Sequence, residues 1–206
     1  MKFECYGASR PQDGGKANED AFVIGRTGIP FAAICDGAGH AEQAARKVLR
    51  LFERFLQETT VAKVLSDDTW TRWINLLDSS IMGQSESTFV GVAAVNNLIV
   101  GAYVGDSRAY LLGREMGCDI LTADPNKARL GGGEAAALPI RATLKPKDMV
   151  LLLSDGAWTP LSLDLVRKIA VTASLTHFSD VPAALLDAAG RSGRADDMTA
   201  VALRVL

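Results

Sequence analysis

Carboxylates recur in this sequence at the ends of apolar runs. Phe31-Ala-Ala-Ile-Cys35 leads straight into Asp36-Gly37, and Met149-Val-Leu-Leu-Leu153 leads through Ser154 into Asp155-Gly156. Val104-Gly105-Asp106 closes another run, Asn18-Glu19-Asp20 precedes the run from Ala21 to Ile24, and Asp196-Asp197 precedes the last one. A single Asp-Gly after a strand marks a turn, for which both residues are suited. Acids at five such places point to chemistry instead. Carboxylates brought together repel one another, and a hard divalent cation relieves that repulsion. An oxygen-only ligand set favours Mg²⁺ or Mn²⁺ over zinc. Gly37 adds a carbonyl that an ion can approach closely, because no side chain shields it. Two such ions close together would lower the pKa of a bridging water and clamp a phosphoryl oxygen, which is the chemistry of phosphate-ester hydrolysis.

The elements that must position these acids are legible from periodicity. Residues 1–7 alternate, with Phe3 and Cys5 on one face, and predict a strand, followed by a loop over 9–16 with Pro11, Gly14 and Gly15. The runs 21–24 and 31–35 predict paired strands. Ala45, Val48, Leu49, Phe52 and Leu56 follow helical spacing and predict a helix ending near Gln57. A second helix is expected from Asp68 to about Met82, capped by Asp68 or Thr69. Strands at 89–95 and 98–104 flank Asn96-Asn97, which suits a tight hairpin. Further strands are expected at 108–112 and 119–122. Residues 127–137, with Gly131-Gly132-Gly133, predict a mobile loop. The apolar run 149–153 reads as a strand buried on both faces. Helices at 162–173 and 181–190 and a strand at 198–206 complete the chain. Hairpin-linked strands between two helix pairs predict an α+β fold of mainly antiparallel sheets with helices outside, a single domain over 1–206.

Composition excludes several function classes. The chain has 206 residues and a formal net charge of -2, with no dominant basic stretch, so no nucleic-acid partner is expected. Arg46, Lys47 and Arg50 read as the solvated face of a helix. The three cysteines, Cys5, Cys35 and Cys118, are an odd and sparse set, which argues against a disulfide framework and for a reducing compartment. Cys5 and Cys35 lie in apolar runs and read as packed thiols. Only two histidines are present and no CxxC, so a Cys/His zinc site is not expected. MKFECYGASR lacks the apolar core of a signal peptide, and no run reaches the ~18 apolar residues of a membrane span. A cytoplasmic protein is expected.

The motifs Asn18-Glu19-Asp20, Asp36-Gly37-Ala38-Gly39-His40, Gly105-Asp106-Ser107-Arg108-Ala109-Tyr110, Leu153-Ser154-Asp155-Gly156-Ala157-Trp158 and Asp196-Asp197-Met198-Thr199 come in that order. Together they resemble the metal-dependent PPM/PP2C family of serine/threonine protein phosphatases, over most of the chain. The resemblance implies a four-layer α-β-β-α sandwich with a two-metal centre at one edge. It also implies direct attack on phosphorus by a metal-bridging water, without a phosphoenzyme. By position, Asp36 would bridge both metals, Asp155 and Asp196 would complete one site, and Glu19 with the carbonyl of Gly37 would serve the other. Asp20 would hold metal-bound waters, and Asp106 matches a residue that in many members helps bind a third, weaker metal. The implied cofactors are Mg²⁺ or Mn²⁺, and the implied partner is a phosphoprotein substrate of a monomeric enzyme.

The chain departs from the family pattern in four ways. Members usually carry a phosphate-gripping arginine a few residues before the Glu-Asp pair; here Gly15 stands at that position, so either Lys16 or Arg10 substitutes or phosphate binding is weakened. Thr159 replaces a further aspartate, so a third ion is not expected. Asp196-Asp197 stands where Asp-Asn is common, leaving the ligand open between the two. Only 49 positions separate Asp106 from Asp155, so the usual flap is trimmed to the loop around Gly131, as in compact bacterial members, which often serve in stress or sporulation signalling. His40 has an unperturbed pKa suited to protonating the leaving oxygen, or it is a helix-start residue facing water. Ser107, Ser154 and Arg108 fit structural hydrogen bonding, since no Ser-His-Asp arrangement is visible. Tyr110 and Trp158 are expected as core anchors. The expected activity is hydrolysis of phosphoserine and phosphothreonine. Its alternatives are a catalytically weak or inactive regulatory or binding module of the same fold, and a hydrolase of small phosphate esters.

Overall fold

Strand β3 (Phe31–Cys35) shows how the chain is layered. Successive side chains point to opposite faces of a strand. Phe31, Ala33 and Cys35 therefore pack against helices, while Ala32 and Ile34 pack against a second sheet. Such a strand has no wet face, which is why its sequence is a continuous apolar run. The computed structural model describes residues 2–12, 17–38, 42–113, 117–122, 128–192 and 196–206.

One sheet runs in spatial order β1 (Phe3–Arg10), β12 (Met198–Val205), β11 (Met149–Leu153), β8 (Arg108–Leu112) and β9 (Cys118–Ile120). The other runs β10 (Leu138–Thr143), β7 (Leu98–Val104), β6 (Phe89–Val95), β3 and β2 (Ala21–Gly25). All pairings are antiparallel, and a short ribbon of β4 (Gly37–Ala38) with β5 (Glu86–Ser87) projects from the second sheet. Helices α1 (Glu42–Gln57), α2 (Val61–Val64) and α3 (Asp67–Ile81) cover the second sheet. Helices α4 (Asp155–Trp158), α5 (Leu163–Thr176) and α6 (Val181–Gly190) cover the first. The fold is an α-β-β-α sandwich with three apolar seams, one between the sheets and one under each helical layer. Phe52 of α1 anchors one seam, fully buried among Phe31, Trp70, Trp73 and Phe89 with ring centroids 5.1 to 6.1 Å away. Burying a side chain of this kind contributes about 1.5–3 kcal/mol. Among the described residues no helix is long and apolar enough to cross a membrane.

Four expectations change. Strand β1 continues to Arg10, paired with Met198, where a loop from Ser9 was expected. Helix α3 begins at Asp67 after an extended Ser66 that makes no side-chain cap bond, so neither Asp68 nor Thr69 caps it. Strand β10 is missing from the sequence reading because Pro139 interrupts it. It is an edge strand, where a proline need not donate to the ladder. The Gly-rich segment, expected as a mobile loop, is tied down in its described part. Leu130 is fully buried and pairs with Ser87 through both backbone bonds, and Asp78 Oδ1 accepts from the amides of Gly131 (2.6 Å) and Gly133 (3.3 Å).

Candidate active site

The acidic ends of β2, β3, β11 and β12 meet at one end of the sandwich. Ala21 pairs with Cys35, so Asp20 and Asp36 lie side by side one step beyond the ladder. Leu153 pairs with Ala200, which sets Ser154 against Thr199. Alternation decides the rest. Phe22, Ile24, Ala32, Ile34, Val150 and Leu152 line the seam between the sheets, and Asp20, Asp36 and Ser154 continue their parity. Val201 and Leu203 do the same on β12, followed by Thr199 and Asp197. Polar groups thus replace the apolar seam where it reaches the sandwich end. Ser154 Oγ donates to Asp20 Oδ2 across the two sheets at 2.6 Å and accepts from the Thr199 amide at 2.9 Å.

Backbone bonds hold Asp36 at the strand end. Its amide donates to Thr88 Oγ1 (3.0 Å), and its carbonyl accepts from the Thr88 amide (2.8 Å) and Ser87 Oγ (3.1 Å). Thr88 Oγ1 in turn bonds Ser107 Oγ at 2.7 Å, so Ser107 and Ser154 are structural bridges, as expected. Burial, then the charges of Asp20 and Asp155, push the Asp36 carboxyl up to about 9, against the opposing charge of Arg129. Asp36 also shares a side-chain hydrogen bond with Asp155, so the pair holds a proton near neutral pH. Asp20 is raised to about 7 by burial, with hydrogen bonds from Ser154 and Thr199 opposing and the charges of Asp197 and Asp155 adding.

The donor chemistry of this group fits a hard divalent cation: crowded carboxyls that offer oxygen donors only. The arrangement is that of a proton-holding site. Among the described residues no three or more His, Cys, Asp or Glu side chains are gathered so that they could hold a metal ion as they stand.

The other candidate residues sort by position. Asp197 is 5% exposed, and its carboxylate accepts from the amides of Gln12 and Glu19, each at 2.6 Å. Asp196 is half-buried, accepts from the Asp197 amide at 3.0 Å, and abuts Gly156. A Cβ on Gly156 would lie 2.1 Å from the Asp197 carbonyl oxygen and 3.1 Å from Asp196 Cβ. Glycine there is what lets the turn after β11 close against β12 and bring Asp155 beside Asp196. Glu19 is half-buried, its carbonyl accepts from the Gly37 amide at 3.3 Å, and it lines a cleft of about 1040 Å³ with Gln12, Glu42, Lys47 and Arg50. Asp106 is exposed, and its carbonyl accepts from Trp158 Nε1 at 3.0 Å. Trp158 is half-buried beneath the Arg108 guanidinium, 3.6 Å from its ring centroid, where a core anchor was expected; Tyr110 is buried. Thr159 is exposed after α4. Arg10 is held by Asp187 of α6 at 2.6 Å. Lys16 and His40 lie outside the described residues. Cys5 and Cys35 are packed thiols, with burial pushing Cys5 up to about 12.

No family model matches the chain, and no curated protein does. Solved structures match it over nearly its whole length. Serine/threonine phosphatase Stp1 from Staphylococcus aureus superposes with a TM-score of 0.89 at 18% identity, covering 100% of this chain and 96% of that one. The S. agalactiae serine/threonine phosphatase gives 0.86 at 18% identity, covering 99% and 100%. The catalytic domain of serine/threonine protein phosphatase PstP, solved with two manganese ions, gives 0.85 at 20% identity, covering 99% and 98%. The fold is that of the bacterial serine/threonine phosphatase domains.

Two residues of the site escape sequence reasoning. Arg129 lies in a glycine-rich stretch 93 positions from Asp36, yet its charge bears on that acid. Asp197 looks like a spare ligand, and only the structure reveals its two amide partners. Asn18, which donates to Ser9 Oγ and accepts from the Asp20 amide, fixes the same 17–20 segment that Asp197 anchors, and no sequence signal marks Arg129.

Proposed function

We propose that this chain is a cytoplasmic, metal-dependent protein phosphatase that hydrolyses phosphoserine and phosphothreonine in protein substrates. One observation carries the reading. Asp36 is fixed by backbone hydrogen bonds against Asp155 and Asp20, where burial and the neighbouring carboxylates keep a proton on the acids despite the charge of Arg129. The likeness of the fold to phosphatase domains supports the substrate class. Asp36, Asp155 and Asp196, with Glu19, Asp20 and the Gly37 carbonyl, are the residues that would hold Mg²⁺ or Mn²⁺, two ions rather than three. Such ions supply polarisation of the phosphoryl oxygens and a lowered pKa for the attacking water. The chain's own groups do the positioning. Ser154 fixes the Asp20 carboxylate, Asp197 fixes the Glu19 backbone, and Asp36 would hold an ion as the deprotonated carboxylate. His40 is the residue we assign to protonating the leaving oxygen.

The test is hydrolysis of p-nitrophenyl phosphate with Mn²⁺, which Asp36→Asn and Asp155→Asn are each expected to abolish while the protein stays folded. A wild type that binds Mn²⁺ by calorimetry, yet cleaves neither this compound nor a phosphothreonine peptide, would favour the catalytically inactive binding module instead.

A further inference from the structure

Arg129 is held in the acidic site with hydrogen-bonding capacity unspent. Its Nη1 is buried and has no hydrogen-bond partner. Its Nη2 is 3.7 Å from Asp106 Oδ1, too far for a hydrogen bond. An unmatched buried donor is costly, by about 1–3 kcal/mol and more when charged. Native structures leave few such groups, and each calls for a physical reason.

The loop does not let the side chain escape that cost. Leu130 is fully buried and zipped to Ser87, whose hydroxyl bonds the Asp36 carbonyl. Gly131 adopts φ +98, and a Cβ there would meet the Ser85 carbonyl oxygen at 2.1 Å. Asp78, itself 5% exposed, clamps the following amides. These anchors, immediately after it in the chain, fix the base of Arg129 beside Asp36. About a quarter of the side chain, 24%, still reaches solvent. Arg10, which the sequence offered as a phosphate-gripping group, is instead committed to Asp187.

We propose that Arg129 binds the non-bridging oxygens of the substrate's phosphoryl group, and of inorganic phosphate as product, with the guanidinium whose buried Nη1 has no hydrogen-bond partner in the free protein. The proposal rests on the phosphatase reading for its choice of anion. A guanidinium offers paired donors that match a phosphate edge, which an ammonium cannot reproduce.

The experiment measures inorganic phosphate binding to the Mn²⁺-loaded protein by calorimetry, together with phosphate inhibition and the KM and kcat for p-nitrophenyl phosphate. Wild type, Arg129→Ala, Arg129→Lys and Lys16→Ala are compared. Loss of a charge-assisted pair predicts phosphate affinity weaker by about tenfold or more in Arg129→Ala, with partial recovery in Arg129→Lys. Unchanged phosphate affinity in a folded Arg129→Ala protein, or loss in Lys16→Ala alone, overturns the proposal. Should Arg129→Ala not fold, Arg129→Lys decides, and wild-type phosphate affinity in it overturns the assignment. Phosphate binding that depends on Arg129 in a wild type without hydrolysis would sink the phosphatase reading and leave this assignment standing.

Discussion

Asp197 is predicted to be a structural residue and Asp196 a functional one, and truncating each separates them. Asp197 is almost fully buried and accepts from two backbone amides, Gln12 and Glu19, at 2.6 Å. Asp197→Ala leaves both donors without an acceptor. Each orphaned donor costs about 1–3 kcal/mol, so the pair costs about 2–6 kcal/mol. Removing a charge that repels Asp20 returns part of this. The remainder is a large fraction of the ~5–15 kcal/mol that stabilises a domain. Asp196→Ala removes a half-buried carboxylate that accepts from the Asp197 amide, and should destabilise less than Asp197→Ala does. Urea unfolding in EDTA measures both effects without a contribution from bound metal. In the Mn²⁺ titration the order should reverse, with Asp196→Ala losing affinity although it remains stable. An Asp197→Ala protein as stable as wild type would refute the two-amide anchor, and equal destabilisation by Asp196→Ala would refute the division of roles.

Two further outcomes follow from the same geometry. Asp36 is protonated in the folded protein up to about pH 9 but ionised in the unfolded chain above about 4, so the native state binds more protons in between and stability falls as pH rises. Between pH 7 and 8 in EDTA this amounts to about 1.4 kcal/mol, which Asp36→Asn should remove; a wild type equally stable at both pH values would contradict the assignment. Gly156→Ala places a Cβ 2.1 Å from the Asp197 carbonyl oxygen, and the backbone displacement should cost about 1–3 kcal/mol and weaken Mn²⁺ binding. A thermal midpoint and a Mn²⁺ affinity both at wild-type values would show that the turn closes without glycine.

The layers were legible because their cause is local. A strand buried on both faces needs an unbroken apolar run, and 31–35 and 149–153 have one. The hairpin at Asn96-Asn97 was legible because its turn needs a residue tolerant of positive φ, and Asn96 adopts +55. The acids Asp20, Asp36 and Asp155 were legible because each stands next to such a run. Strand β10 was hidden because an edge strand tolerates Pro139 and alternates weakly. Arg129 was hidden because its position depends on pairing between Leu130 and Ser87, which no periodicity encodes. The same holds for Asp78, which reads as an ordinary helix residue until its two glycine amides are seen.

The way the acids are held bears on why the site sits where it does. Left to side-chain packing alone, three mutually repelling carboxyls would move apart. Here the restraint lies in the backbone, through the β2–β3 and β11–β12 registers, and in neutral hydroxyls such as Ser154 and Thr88 that bond the acids or their main chain. The three apolar seams supply the stabilisation that offsets the repulsion, and they end where the acids begin. The metal-free protein therefore carries an electrostatic cost localised at one end of an otherwise well-packed sandwich. Any cation that binds the folded state there and not the unfolded chain must raise stability in proportion to its affinity. If the proposed ions bind here, metal affinity and folding stability are linked through the residues at the strand ends, with Asp36 and its shared proton at the centre of that linkage.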